Sequence, residues 1–68
     1  MEFSFKGKNY ILDEVFWEKQ YQEYPMPNST IDFQYKQIQY LIKIHDWVTL
    51  ENRIINMLKW GGLNEKNS

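Results

Sequence analysis

The stretch from Ile31 to Trp60 places the strongest limit on how this chain can fold, because it holds a large share of the residues that could build a core. Its pattern predicts two helices that fold back on each other at a joint near His45 and Asp46. Asp46 or Thr49 is suited to cap the second of these helices. The two glycines after Trp60 supply the positive-φ residues that commonly end a helix.

The apolar side chains of this last helix recur at helical spacing on one face, which predicts that this face packs on a core. We expect that face to consist of Trp47, Leu50, Ile54, Met57 and Leu58. The opposite, polar face would carry Thr49, Asn52, Arg53, Asn56 and Lys59. Trp60 falls on the polar side, so it is the tryptophan that we expect to be most exposed.

Residues 31–45 fit both a helix and a strand, and the helix is favoured. As a helix they form one apolar stripe from Ile31, Tyr35, Ile38 and Ile42, and a second from Phe33, Tyr40 and Ile44. As a strand they alternate with one slip, which would be a β-bulge. The segment contains no Gly, Asn or Pro and exceeds the usual strand of about 5–6 residues. A helix with two apolar stripes predicts burial on two sides, one of them against a second chain.

The first twelve residues predict a β-hairpin. Phe3 and Phe5 alternate with polar residues, Lys6-Gly7 offers a turn, and Tyr10 and Leu12 alternate again after it. Glycine can take the positive φ that such a turn needs. A lone hairpin is marginally stable in water, so we expect this one to lie on the helices.

A first helix is predicted from an N-cap at Asp13 to about Tyr24. Its stripe is aromatic, with Trp17, Tyr21 and Tyr24 at helical spacing. Four acids and one base surround that stripe between Asp13 and Tyr24. The stripe is typical of a core face, but an acidic rim around aromatic residues also suits docking of a basic partner.

These patterns together predict a small α+β fold. A single compact domain would span residues 1–63, with the N-terminal β-hairpin packed on three helices. The last two helices would form an antiparallel helical hairpin. Residues 64–68 are predicted to be a disordered C-terminal tail, because they are polar and terminal.

The aromatic content exceeds what a core of this size can enclose. Three Trp, five Tyr and four Phe occur among 68 residues, and there is no cysteine to form a disulfide. A chain this short buries only about 60% of the surface that its unfolded form exposes. Some aromatic side chains are therefore expected to face solvent or another chain.

The sequence contains no pattern typical of a catalytic or ligand-binding site. Its one histidine, His45, stands beside Asp46, and adjacent residues do not normally act on one proton. There is no glycine-rich phosphate loop and no metal-binding spacing. We therefore expect no enzymatic activity, no cofactor, no metal and no small-molecule substrate.

Charge and hydropathy narrow the choice of partner and location. The net charge of −1 disfavours nucleic-acid binding, which relies on clustered positive charge. No apolar run approaches the roughly 20 residues of a membrane span, and no signal peptide is evident. We expect a cytoplasmic protein. The absence of alanine and the ratio of seven lysines to one arginine suggest a low-G+C bacterium or its phage.

The predicted function is a non-enzymatic protein–protein interaction module, such as a regulator or inhibitor that docks on a larger bacterial protein. Trp, Tyr and Arg are the residue types that dominate interface energetics. The predicted partner-binding residues are Trp17, Tyr21, Tyr24, Arg53 and Trp60. One alternative is a small helix-turn-helix-like nucleic-acid-binding protein. The other is a homo-oligomeric structural protein, for instance a homodimer.

Overall fold

A computed structural model describes residues 1–66 and contains an antiparallel sheet of three strands and three α-helices. The strands are β1 (Glu2–Phe5), β2 (Lys8–Leu12) and β3 (Leu63–Lys66). The helices are α1 (Glu14–Glu23), α2 (Ile31–Lys43) and α3 (Trp47–Trp60), with a short 3₁₀ turn, Pro27–Ser29, between α1 and α2. The predicted α+β fold, with an N-terminal hairpin and three helices, is confirmed.

The hairpin forms where the sequence predicts it. β1 and β2 pair antiparallel with Phe3 opposite Tyr10, and the two rings stack with centroids 5.4 Å apart. Lys6 and Gly7 both take positive φ, at 51° and 76°, as a tight hairpin turn requires. Phe3 and Tyr10 are both buried, so this face of the hairpin packs on the helices.

The third strand corrects the predicted tail. β3 pairs antiparallel with β2, with Leu63 opposite Leu12, which leaves β2 in the centre of the sheet. The prediction of a disordered tail is therefore wrong for residues 64–66, while residues 67 and 68 lie outside the described residues. Asn, Glu and Lys are poor strand formers. The strand forms because the positive-φ residues Gly61 and Gly62 turn the chain back and Leu63 is buried.

Residues 31–43 are helical, so the bulged-strand alternative is wrong. The Thr30 hydroxyl oxygen accepts from the Phe33 amide at 3.2 Å and caps the start of α2. At the other end His45 has φ 58°, its amide donates to the Ile42 carbonyl, and the Asp46 amide donates to the Leu41 carbonyl. This pair of hydrogen bonds is a Schellman motif, which ends α2 and reverses the chain.

The core lies between the sheet and the faces of α2 and α3 that meet each other. Ile38 and Leu50 are fully buried at its centre. The buried hydrophobic residues are Phe3, Tyr10, Leu12, Ile38, Leu41, Leu50, Ile54, Met57 and Leu63.

Two predicted core positions of α3 are wrong. Trp47 and Leu58 are 45% and 44% exposed, because the buried face centres on Leu50, Ile54 and Met57 and these two residues stand at its margin. On α2 the buried face centres on Ile38 together with Gln34 and Leu41.

The second apolar stripe of α2 is partly exposed in the single chain, so its burial against a second chain stays a prediction. Tyr40 and Ile44 from that stripe are 57% and 48% exposed. Residues 1–66 hold no helix that is both long and apolar enough to cross a membrane.

Candidate interaction surface

A groove between α1 and the C-terminal half of α3 brings together three of the five predicted partner-binding residues: Trp17, Arg53 and Trp60. We call it the α1–α3 groove, and its volume is about 290 Å³. Its lining residues are Phe16, Trp17, Gln20, Gln34, Arg53, Asn56, Met57, Trp60 and Gly61. The predicted surface is therefore made by residues far apart in the chain.

Trp17 forms a wall of the groove and also holds the fold together. Its side chain is half-buried, and its indole Nε1–H donates to the Gly62 carbonyl oxygen at 2.9 Å. The Phe16 ring meets it edge-on, with centroids 5.0 Å apart and an interplanar angle of 85°. Asp13 caps α1, and its carboxylate accepts from the Phe16 amide at 3.1 Å.

Arg53 lies in the groove, and no carboxylate within residues 1–66 forms an ion pair with it. Its Nη2 donates to Gln34 Oε1 at 2.9 Å. Its Nε is buried and has no hydrogen-bond acceptor within residues 1–66. The two ion pairs of the described residues, Lys6–Glu51 and Lys66–Glu2, lie elsewhere.

Gln34 fixes the orientation of that arginine. It is the buried polar residue of the described chain, at 8% exposure, and its Nε2 donates to the Asn28 carbonyl oxygen at 2.7 Å. With Nε2 occupied, Oε1 is directed at the Arg53 guanidinium. Neither Gln34 nor Phe16 was among the predicted site residues. Gln34 stands four residues before Ile38 and seven before Leu41, and that spacing is the signal that places it on their face.

Trp60 has the most exposed side chain among the large hydrophobic residues, at 74%. It stands on the last turn of α3 at the edge of the groove, where Lys59 Nζ lies 5.2 Å from its ring centroid. The prediction that this tryptophan is exposed is confirmed. A large apolar side chain in water next to a groove is the most distinctive feature of this surface.

The other two predicted residues lie off the groove. Tyr21 is 47% exposed and lines a separate depression on the other side of Trp17, together with Glu14 and Glu18. Tyr24, at the end of α1, is 58% exposed and contributes to neither depression. The acidic residues of α1 therefore border the Tyr21 side and do not line the α1–α3 groove.

A second exposed apolar surface lies at the joint between α2 and α3 and was not predicted. Phe5, Ile42 and Trp47 line a depression of about 540 Å³ there. Val48 beside it is 73% exposed, and the His45 ring stacks on Trp47 with centroids 5.3 Å apart. We call this the joint surface. Lys6 also lines it and is paired with Glu51, and no buried side-chain donor without an acceptor is found there among residues 1–66.

Within residues 1–66, no three His, Asp or Glu side chains converge as ligands for a metal ion. Comparison of the chain with protein-family models, with curated proteins and with solved structures gives no match.

Proposed function

We propose that this protein is a non-enzymatic interaction module that docks on a larger protein through the α1–α3 groove. The observation that carries the proposal is the 74% exposure of Trp60 beside a groove that holds Arg53. A tryptophan buries about 150–250 Å² when it is covered, and its indole ring loses little conformational freedom on binding. Trp and Arg are also the residues that most often dominate binding energy.

The proposal includes a regulator or inhibitor role in the bacterial cytoplasm, on a bacterial or phage-encoded target. Composition supports the compartment, since a chain without cysteine has no need of an oxidising environment. The small size supports the role, because one groove and a few anchor residues suffice for docking.

The helix-turn-helix alternative is weakened by the position of Arg53. The polar face of α3 would have to contact phosphates through Arg53 and Lys59. Arg53 instead points into the groove, where Gln34 holds it. One exposed lysine on that face gives little of the counterion release that drives nucleic-acid binding.

A site-specific photo-crosslinker in place of Trp60 tests the proposal in cells. We expect an adduct heavier than two copies of this chain, identified by mass spectrometry. The matched control carries the crosslinker in place of Val15, which is 65% exposed on α1 and lines none of the depressions described above. Equal adducts from both positions, or only a self-adduct from position 60, would contradict docking on a different protein.

A further inference from the structure

We propose that the α1–α3 groove binds a carboxylate of its protein partner, presented by an Asp or Glu beside an apolar residue. Arg53 receives the carboxylate, and Trp60 covers the apolar neighbour. This inference rests on the proposed docking function and specifies the chemistry of the partner.

The first observation is the unsatisfied guanidinium. Buried polar groups are nearly always hydrogen-bonded, yet Arg53 Nε is buried without an acceptor in residues 1–66. Nη1 makes no hydrogen bond within that part of the chain either, and Nη2 makes one, to Gln34. Part of the positive charge is thus removed from water with no counter-ion within residues 1–66. Because Nε is itself inaccessible, an incoming carboxylate would contact Nη1 and supply the missing negative charge.

The second observation is the charge of the lining. Arg53 is the one charged residue among the residues that line the groove, and no acid is among them. Lys59 adds a second positive charge at the rim, next to Trp60. The carboxylates of Glu14 and Glu18 border the other side of Trp17. The groove is therefore locally positive on a chain whose net charge is −1.

The third observation is that the arginine is held in place before binding. Gln34 is buried and anchored to the Asn28 carbonyl, so the hydrogen bond that Arg53 Nη2 donates to Gln34 Oε1 fixes the guanidinium against α2. An ordered receptor group loses little conformational entropy when its ligand arrives.

The size and charge of the site favour a protein carboxylate over nucleic acid. A volume of about 290 Å³ is at the lower limit of pockets that enclose a drug-sized ligand, so a few side chains fill it. A nucleic-acid strand would extend beyond so small a groove, and Glu14 and Glu18 on the other side of Trp17 would repel its phosphates.

Selection of a random peptide library, displayed on phage, on the intact protein tests the inference. We expect the enriched peptides to carry Asp or Glu next to an apolar residue. Changing that acid to its amide in a synthetic peptide should weaken binding by about tenfold or more, as expected for loss of a charge-assisted hydrogen bond. Because this change is made in the peptide, misfolding of a protein variant cannot produce the effect.

Protein variants then locate the effect. Arg53→Gln should weaken the acidic peptide by a similar factor and leave the amide peptide unchanged, which shows direct coupling of the two groups. Arg53→Lys keeps the charge without the planar fork and should bind with intermediate affinity.

The outcomes separate this inference from the docking proposal. If the enriched peptides lack acids, and their binding is lost in Trp60→Ala but kept in Arg53→Gln, the carboxylate inference is overturned and docking through the groove is retained. If no peptide is enriched, or if neither Trp60→Ala nor Arg53→Gln changes binding, the carboxylate inference and docking through the groove are both overturned. An Arg53-dependent change of tryptophan fluorescence with oligothymidylate, together with no acidic peptides, would overturn the protein carboxylate in favour of nucleic acid.

Discussion

Gly62 is the residue through which α1 is tied to β3. Its carbonyl oxygen accepts from Trp17 Nε1 and from the Asp13 amide, both at 2.9 Å. Its φ is +101°, and a Cβ built on it would lie 2.7 Å from Trp17 Cζ2. The position therefore requires glycine both for its backbone conformation and for the approach of the indole ring.

Gly62→Ala is expected to lower the free energy of unfolding by about 2–4 kcal/mol, as the sum of a positive-φ penalty and a displaced Trp17 ring. Urea denaturation followed by circular dichroism measures it. Gly7→Ala is the matched control, since Gly7 also has positive φ, at +76°, but has no atom within 4 Å of its added Cβ. The control should lose about 1 kcal/mol. Equal losses would show that Trp17 does not pack against Gly62.

The residue scale also shows where sequence reasoning succeeds and fails at the site. The exposure of Trp60 follows from its helical phase, which is local information. The double role of Trp17 could not be predicted, because its hydrogen-bond acceptor is 45 residues away in the chain. The residue type of Arg53 predicts an interface role, but its environment depends on Gln34, whose helical spacing places it on the face of Ile38 and Leu41 although its side chain is polar.

At the scale of elements, the predictions hold where the signals are local. Asp13 caps α1 as the sequence indicates, and the joint after α2 lies at His45 and Asp46. β3 has no such signal, because Leu63 is the one apolar residue of the strand. It is stabilised by pairing with β2. The marginal stability of a two-stranded hairpin indicates that the hairpin needs such a partner, but it does not say which residues supply it.

The ion pair between Glu2 on β1 and Lys66 on β3 tests whether the third strand is in place. The Lys66 ammonium donates to the Glu2 carboxylate, and this hydrogen bond, followed by its charge, holds the pKa of Glu2 below its usual value. An NMR titration of the Glu2 side-chain carboxyl should show a lowered pKa that returns to normal in Lys66→Gln. Lys8→Gln is the control, because Lys8 lies on the opposite face of the sheet and should have no effect.

The lowered pKa of Glu2 determines how its ion pair with Lys66 contributes to the free energy of unfolding as the pH changes. Since the folded pKa of Glu2 is depressed, its contribution is present above the unfolded value of about 4.3 and is lost as pH falls through the folded pKa. Wild type and Lys66→Gln should therefore converge in stability at low pH. A Glu2 pKa that does not respond to Lys66→Gln would place β3 away from β1.

At the scale of the whole molecule, the chain buries a core of modest size and leaves apolar surface exposed, including the α1–α3 groove and the joint surface. The excess of aromatic residues predicts exposed apolar surface but does not predict where on the fold it lies. Self-association through the groove is opposed by charge, because a twofold contact would bring the Arg53 and Lys59 of both copies together with no carboxylate from the groove lining. A different protein can supply the acid that a second copy of the groove does not.

The central claim is that the α1–α3 groove is open for a different protein and is not covered by a second copy. Its most direct test is the solution mass by light scattering over about a hundredfold range of concentration, for the wild type and for Trp60→Ala. An open groove predicts the monomer mass at every concentration for both proteins, which is 8.4 kDa for the wild type. A wild-type mass of twice that value, returning to the monomer mass in Trp60→Ala, would mean that the groove is covered by a second copy and would contradict docking on a different protein.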